Sequence, residues 1–404
     1  MPPREPESLL FARNLFLPED LGGNRYPYET IRRLGARGHR VTVLTPRLHN
    51  RFPGLPNVSY RFYGVWRPHA LLTHATNVVG AARAGARLRR VGHRPRTARQ
   101  GGGGFEVALV GSYDAALALG WAGIVPRTPM VFLYHSEFYS EWVHARRAVR
   151  QVIQRYMAAV EARVFAQSAR IVAVSEFSAR QIGSRAPAAS SRVRVIPTGV
   201  DTTYFVPAAD KTALRQELGL PSDQPVALGV GRLAGVKQFD RLVTAFAVAC
   251  ARGLQAHLVI AGGGPERQIL ERLTATYGVQ DRVHLAGYCD PPRLRAFMQA
   301  ADLQVCSSAF ENLSLALLEG MSCGTAVLGT PGGGTPELVG QIDATLVLAD
   351  DHTHTLADAL PVWLSDLDRL ERLGKRARQI AVERYDWERV VDGLEAVCSE
   401  VARP

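Results

Sequence analysis

The clearest scarcity in this chain is acid. No Asp or Glu occurs between Thr30 and Phe105, although the whole chain of 404 residues carries 48 Lys and Arg against 37 Asp and Glu, for a net charge of +11. The surplus is confined to one half: residues 1–200 hold 29 basic and 11 acidic side chains, and the rest hold 19 and 26. Such asymmetry predicts two parts with different partners. A basic half can face nucleic acid, an anionic membrane surface or an anionic substrate. It can also reflect nothing more than an arginine-rich composition, and charge alone leaves these alternatives open.

Cysteine is equally uninformative as a scaffold. The five residues Cys250, Cys289, Cys306, Cys323 and Cys398 show no paired spacing, which excludes a disulfide framework and a metal knuckle. No apolar run approaches the ~20 residues that a membrane-spanning helix needs. The opening MPPREPESLLFARNLF lacks the long apolar core and small-residue cleavage site of a secretory signal. The expectation is a cytoplasmic protein with two ordinary domains, given its length and its 47% hydrophobic content. The only Asp-x-Asp pair, Asp366 and Asp368, lies in a polar helical run, so no metal site is expected.

What is present is a repeating grammar. SLLFAR, a loop LPEDLGGN, a helical stretch to Ala36 and HRVTVLTP together read as one βαβ unit. Short apolar runs follow at 107–111, 130–135, 170–175 and 192–197, with helical segments between them, notably 144–166. After an apparent linker, VDTTYFVPAAD at 200–210, the pattern starts again with PVALGVGRL, HLVIAGGGPE, RVHLAGY, LQVCSS and TLVLAD. Beyond Leu356 the chain is helical nearly to its end. This predicts an α/β protein with two Rossmann-like, doubly wound domains facing each other across a cleft. The boundaries expected are 1–200 and 201–384, with a last helix, 385–404, packing back on the first domain. Residues 83–104 break the pattern with seven arginines and four consecutive glycines. They read as a mobile basic loop with room for a helical turn or two, either a solvated linker or a binding element.

The stretch FENLSLALLEGMSCGTAVLGT carries two glutamates, Glu311 and Glu319, with no basic residue near either in sequence. LQVCSS reads as a strand, so Ala309–Leu313 is the turn at its carboxyl end. Ser314 suits an N-cap, and the helix it starts should stop at Gly324. A helix N-terminus presents unpaired N–H groups and the positive end of a dipole, which favours an anion such as phosphate. The two carboxylates then suit sugar hydroxyls on either side of it. The plainer alternative is an acid on the helix dipole plus a surface glutamate. Further along the same reasoning, Arg232 and Lys237 in VGRLAGVKQFD follow a strand and the turn at Gly231, and two cations there suit a diphosphate. Gly263, in AGGGPE, sits in a tight strand-to-helix turn. Gly22 and Gly23 precede the first helix and leave backbone N–H groups open to a phosphate or sugar. His135 ends a strand among polar and aromatic residues, YHSEFYSEW.

In this order the set resembles the GT-B-fold retaining glycosyltransferases of family 4. The matching features are the GG loop, the strand-end His135, IPTGVD at 196–201, GRL with Lys237, AGGGPE, the Glu-x7-Glu pair, GGGTPELV at 332–339 and YDW at 385–387. The resemblance implies that Glu319 binds the ribose hydroxyls, Glu311 the donor sugar, and Arg232 and Lys237 the diphosphate. Backbone amides near Asn312 and Leu313 would hold the diphosphate too, with Gly23 near the phosphate and His135 near the reacting centre. The implied reaction moves a hexose-type sugar from a nucleotide sugar, UDP-linked or GDP-linked, to an acceptor hydroxyl, with no cofactor or metal required. Asn312-Leu313 replaces the usual aromatic-glycine pair, and Ser136 follows His135 where an acid or glycine is common. The acceptor is not specified: lipid-linked, saccharide and natural-product acceptors all fit. The basic half, with Trp66, Leu71, Leu72 and the arginines from Arg83 to Arg99, suggests peripheral contact with an anionic inner membrane face rather than nucleic acid. A sugar-nucleotide epimerase of the same fold, or a basic membrane- or nucleic-acid-binding protein on a degenerate core, are the competing readings.

Overall fold

The computed structural model describes residues 7–13, 22–46, 54–63, 78–87, 104–125, 127–135 and 147–402. The chain divides into two compact units, one formed by Met1–Val174, Ser178–Ile196 and Val391–Pro404, the other by Ser175–Phe177 and Pro197–Val390.

The first unit holds one parallel sheet. Its strands are β1 (Ser8–Ala12), β2 (Arg40–Pro46), β3 (Val58–Tyr63), β4 (Val107–Val110), β5 (Met130–Tyr134), β6 (Arg170–Ala173) and β7 (Val193–Val195), in the order β3-β2-β1-β4-β5-β6-β7. β4 and β5 are buried along their whole length, because helices cover both faces of a parallel sheet. This is why their sequences are continuously apolar. β3, VSYRFY, lies at the sheet edge with mostly exposed side chains, and no strand was expected there. Residues 78–87 are helical, so Arg83 and Arg87 belong to a helix at the start of the basic segment. Ser136, Trp66, Leu71, Leu72 and the arginines from Arg89 to Arg99 lie outside the described residues.

The Val391–Pro404 segment is tied into this unit by charge. Arg37 reaches Asp392 at 2.7 Å and Glu395 at 2.9 Å. The buried His39 accepts the Glu7 backbone N–H at Nδ1, 3.1 Å, which leaves its Nε2 to donate to Glu395 at 3.0 Å.

The second unit holds β8 (Val226–Val230), β9 (His257–Ala261), β10 (Val283–Gly287), β11 (Leu303–Cys306) and β12 (Ala326–Gly329), all parallel, in the order β10-β9-β8-β11-β12. One core cluster runs through it, from Val200 and Phe205 through Phe246 to Tyr385. The apolar run at 345–350 adds one parallel bridge, Val347 to Gly329, rather than a strand. Strand order reverses between β8 and β11 here, and between β1 and β4 in the first unit. In open α/β sheets such a reversal leaves a crevice at the carboxyl ends of the strands, where ligands bind.

At the opposite edge, His257 Nδ1 lies 2.9 Å from His284 Nε2 and the rings stack. Burial lowers both imidazoles below their ordinary value. His284 and the Arg282 cation lower His257 further, against a smaller opposing pull from Asp223. Unfolded, the same rings protonate at about 6.5, so the pair favours the fold fully above that pH and less as pH falls below it. The melting temperature should therefore drop between about pH 7 and pH 5. His284→Gln should flatten part of that drop, and an unaltered profile would show that the pair does not titrate.

Candidate active site

The loops at the reversal in the second unit follow β8 and β11. After β8 the chain turns through Gly231 into a short 3-10 turn, Gly235–Lys237, and then into the Phe239–Ala251 helix. Gln238 joins the two with a φ of 50°, a left-handed conformation rare for a residue with a side chain. The loop after β11 locks onto this turn. Ala309 N–H donates to Val236 O at 2.9 Å, and Ser307 Oγ donates to Lys237 O at 2.7 Å. Thr330 Oγ1 donates to Ser308 O at 2.7 Å from the other side.

Glycines let these loops touch without side chains between them. A Cβ on Gly333, whose φ is +68°, would stand 2.0 Å from Glu311 O. Gly332 and Gly334 lie equally close to the Ala309 and Asn312 carbonyls, and Gly334 N–H donates to Glu311 O at 2.7 Å. The AGGGPE turn works in the same way beside the other loop. A Cβ on Gly262 would meet Gly231 O at 1.7 Å, and Gly263 O accepts from Leu233 N–H at 2.9 Å. The AGGGPE turn thus packs its backbone against a neighbouring loop.

The side chains so positioned correct one expectation. Glu311 is not an unpaired carboxylate: its Oε1 forms an ion pair with Lys237 Nζ and accepts from Ser308 Oγ at 2.8 Å. Burial alone would lower the Lys237 ammonium, but the Glu311 carboxylate and its hydrogen bond more than offset this and hold it above its usual value. The Lys237 stem lies over Gly231, where a Cβ would sit 3.1 Å from Cε. Arg232 is exposed and makes no hydrogen bond or ion pair among the described residues.

The helix that follows matches its sequence reading. It spans Leu315–Ser322, Ser314 accepts from Leu317 N–H, and Gly324 leaves it with a φ of 78°. Asn312 and Leu313 are half-buried at its approach. Glu319 is 4% exposed, which rules out a surface glutamate. Its charge, after burial, is one of the causes that push the Cys323 thiol up to about 12. Asp366 and Asp368 are exposed, and Asp366 caps a helix by accepting from Arg369 N–H at 2.9 Å.

In the first unit, His135 follows β5 and packs edge-on against Tyr26, with ring centroids 4.1 Å apart. Arg13, directly after β1, crosses Gly111, directly after β4, so it occupies that sheet's own reversal. Burial, with Arg13 nearby, lowers the His135 imidazole to about 3. Burial lowers the Arg13 guanidinium to about 10, against the opposing effect of Tyr26. Sequence reasoning named His135 and missed Arg13 and Tyr26; the signal for Arg13 was its place one residue beyond a strand end. Gly22 and Gly23 are the first residues of the Gly22–Ala36 helix rather than part of the loop before it.

A family model described as Glycosyltransferase Family 4 matches residues 22–204, and one described as Glycosyl transferases group 1 matches residues 210–380. The chain belongs to the family 4 glycosyltransferases. Among curated relatives of this family 4 chain, a D-inositol 3-phosphate glycosyltransferase of Nocardia farcinica is 34% identical over 241 residues, covering 58% of this chain and 53% of the relative. The chain thus spans about half the length of the curated relatives of that kind which it matches. An alpha-D-kanosaminyltransferase of Streptomyces kanamyceticus is 25% identical over 327 residues, 80% of this chain and 84% of the relative. In fold, the chain is similar to a sucrose-phosphate synthase of Thermosynechococcus elongatus, with a TM-score of 0.79, 21% identity and coverage of 98% and 99%. It is also similar to HepE of Anabaena in complex with UDP and glucose, with a TM-score of 0.73, 18% identity and coverage of 98% and 100%. The two parallel sheets, one in each unit, therefore correspond to the GT-B fold.

If the Gly332–Gly334 segment holds the Glu311 loop in place, a side chain at Gly333 must displace it. Gly333→Ala should lower stability by about 1–2 kcal/mol from backbone conformation alone, and should weaken nucleotide binding as well. Denaturant melts and calorimetry check both, and a variant with wild-type values in each would show the loop is positioned otherwise.

Proposed function

We propose that the protein is a retaining glycosyltransferase that moves a hexose-type sugar from a nucleoside diphosphate sugar to an acceptor hydroxyl. The observation that carries this reading is the grouping of Lys237, Glu311 and the Ser314-capped helix on two interlocked loops at one strand reversal. A diphosphate finds there a cation, a helix N-terminus and the exposed Arg232; sugar hydroxyls find carboxylates. UDP is the favoured nucleotide, since HepE, of like fold, has been solved with UDP and with UDP-glucose.

In the reaction, the bond between the anomeric carbon and the diphosphate oxygen breaks. The acceptor oxygen bonds to the same face of that carbon, and its proton passes to the departing phosphate. Charge developing on the diphosphate is met by Arg232, Lys237 and the backbone N–H groups near Asn312, Leu313 and Ser314, of which the backbone groups need no reorganisation. Glu319 would bind ribose and Glu311 the transferred sugar. His135 cannot act as a proton donor near neutral pH if its imidazole titrates at about 3, so it serves by hydrogen bonding and shape. These cations would do what a metal would do. Donor hydrolysis or transfer should accordingly persist in EDTA, and Arg232→Ala should weaken UDP binding by roughly 1.5–3 kcal/mol. Loss of activity in EDTA with recovery in magnesium, or unchanged UDP affinity in the variant, would overturn the reading.

The acceptor is proposed to be anionic, or carried on an anionic cytoplasmic membrane face. The support is the basic surplus of residues 1–200 and the phosphate named in the acceptor of the inositol phosphate relatives. Among the described residues no helix is long and apolar enough to cross a membrane. Peripheral attraction is worth about 1 kcal/mol per basic residue near such a surface and is screened by salt. The protein should co-sediment with anionic vesicles at low salt and be released at high salt. Indifference to vesicles would favour a soluble anionic acceptor.

A further inference from the structure

Lys237 and Glu311 stand 74 residues apart in sequence and are each other's partner in the fold. Their side chains are 22% and 14% exposed, so each would be costly to leave without a counter-charge. Neither can swing far. The Lys237 backbone is held by its N–H to Ala234 O at 2.8 Å and by its carbonyl to Ser307 Oγ at 2.7 Å. Glu311 is held by its carbonyl to Gly334 N–H at 2.7 Å and by its carboxylate to Ser308 Oγ.

We propose that this ion pair makes the site discriminate an intact nucleoside diphosphate sugar from the nucleoside diphosphate that remains after transfer. The inference rests on the donor-site reading above. A nucleotide sugar brings a phosphate oxygen to Lys237 and hydroxyl donors to Glu311 together, so both members of the pair exchange one partner for another. A nucleoside diphosphate brings only the phosphate. It must either share Lys237 with Glu311 or strip the lysine away and leave a largely buried carboxylate with Ser308 as its remaining donor. Glu311 thus competes with the leaving group for Lys237 once the sugar has gone, which weakens product binding and speeds release. Discrimination here is a repulsive element set against the wrong ligand, not an extra attraction for the right one.

The test is calorimetric titration of UDP and UDP-glucose into wild type, Glu311→Gln, Glu311→Asp and Lys237→Ala, with melting curves to verify the fold. Removing the competing charge in Glu311→Gln should tighten UDP binding about fivefold, the scale of a partly exposed ion pair. The preference for UDP-glucose over UDP should shrink by a similar factor. Glu311→Asp, which keeps the charge but retracts it from Lys237, should shift UDP affinity in the same direction by less. Lys237→Ala should weaken both ligands. If Glu311→Gln and Glu311→Asp bind UDP no more tightly than wild type while melting normally, the proposal is overturned and the donor reading stands. If wild type binds no nucleoside diphosphate at all, the donor reading itself is overturned and this proposal falls with it.

Discussion

The site depends on contact between loop backbones with no side chains between them. At the carboxyl edge of the second sheet, Gly332–Gly334 lie against the carbonyls of Ala309, Glu311 and Asn312, and Gly262 lies against that of Gly231. A methyl group at Gly262 or Gly333 would collide with main-chain oxygen, which cannot rotate away as a side chain can. Glycine-rich turns in α/β proteins are usually read as places where a ligand meets the backbone. Here they pack against the next loop, and the consequence is indirect. The outer turns are packed so that the inner two have only one arrangement, and the functional side chains hang from those inner two.

The electrostatics follow from that rigidity. A partly buried ion pair is poor evidence for stability, because desolvation of both charges opposes their attraction. Lys237 and Glu311 are better understood as a pair kept at low cost where charge is needed for another reason. Loops that hold both backbones fixed reduce the entropy lost in pairing the side chains, and Ser308 adds a donor to the carboxylate. Charges held this way, beside a helix N-terminus, are the arrangement that stabilises a departing diphosphate, since little has to move when negative charge develops. In the proposed role Arg232 would act differently. It is exposed and outside the pair, so it can swing to a phosphate without breaking a protein contact.

Much of this was legible in sequence, where the determining physics is local. Ser314 as N-cap and Gly324 as the left-handed exit of its helix depend only on residues a turn apart, and both appear as read. The two sheets were readable because buried parallel strands must be continuously apolar. β3 escaped because an edge strand with exposed side chains lacks that signature. The partner of Glu311 escaped for a stronger reason. No basic residue lies near it in sequence, and the lysine that neutralises it comes from the loop after the adjacent strand of a sheet whose order runs β10-β9-β8-β11-β12. Adjacency at a strand reversal is a property of topology. Arg13 was missed on the same ground: its place just beyond a strand end is a weak signal until β1 and β4 are known to be neighbours.

The two sheets use their reversals in opposite ways. In the second unit the crevice joins a cation to an anion, and the resulting site is close to neutral until a ligand separates them. In the first unit the reversal carries Arg13 and, on the next strand, an imidazole that burial keeps neutral far below physiological pH. A guanidinium titrating near 10 remains charged at neutral pH, so this edge presents a cation and a neutral ring. That combination is suited to holding an anionic group and donating or accepting hydrogen bonds, and unsuited to moving protons. In the proposed reaction the proton accordingly passes between the substrates, from the acceptor hydroxyl to the departing phosphate. This is consistent with Lys237 being tuned upward rather than toward neutrality, because a lysine held above its usual value stabilises charge and does not act as a base.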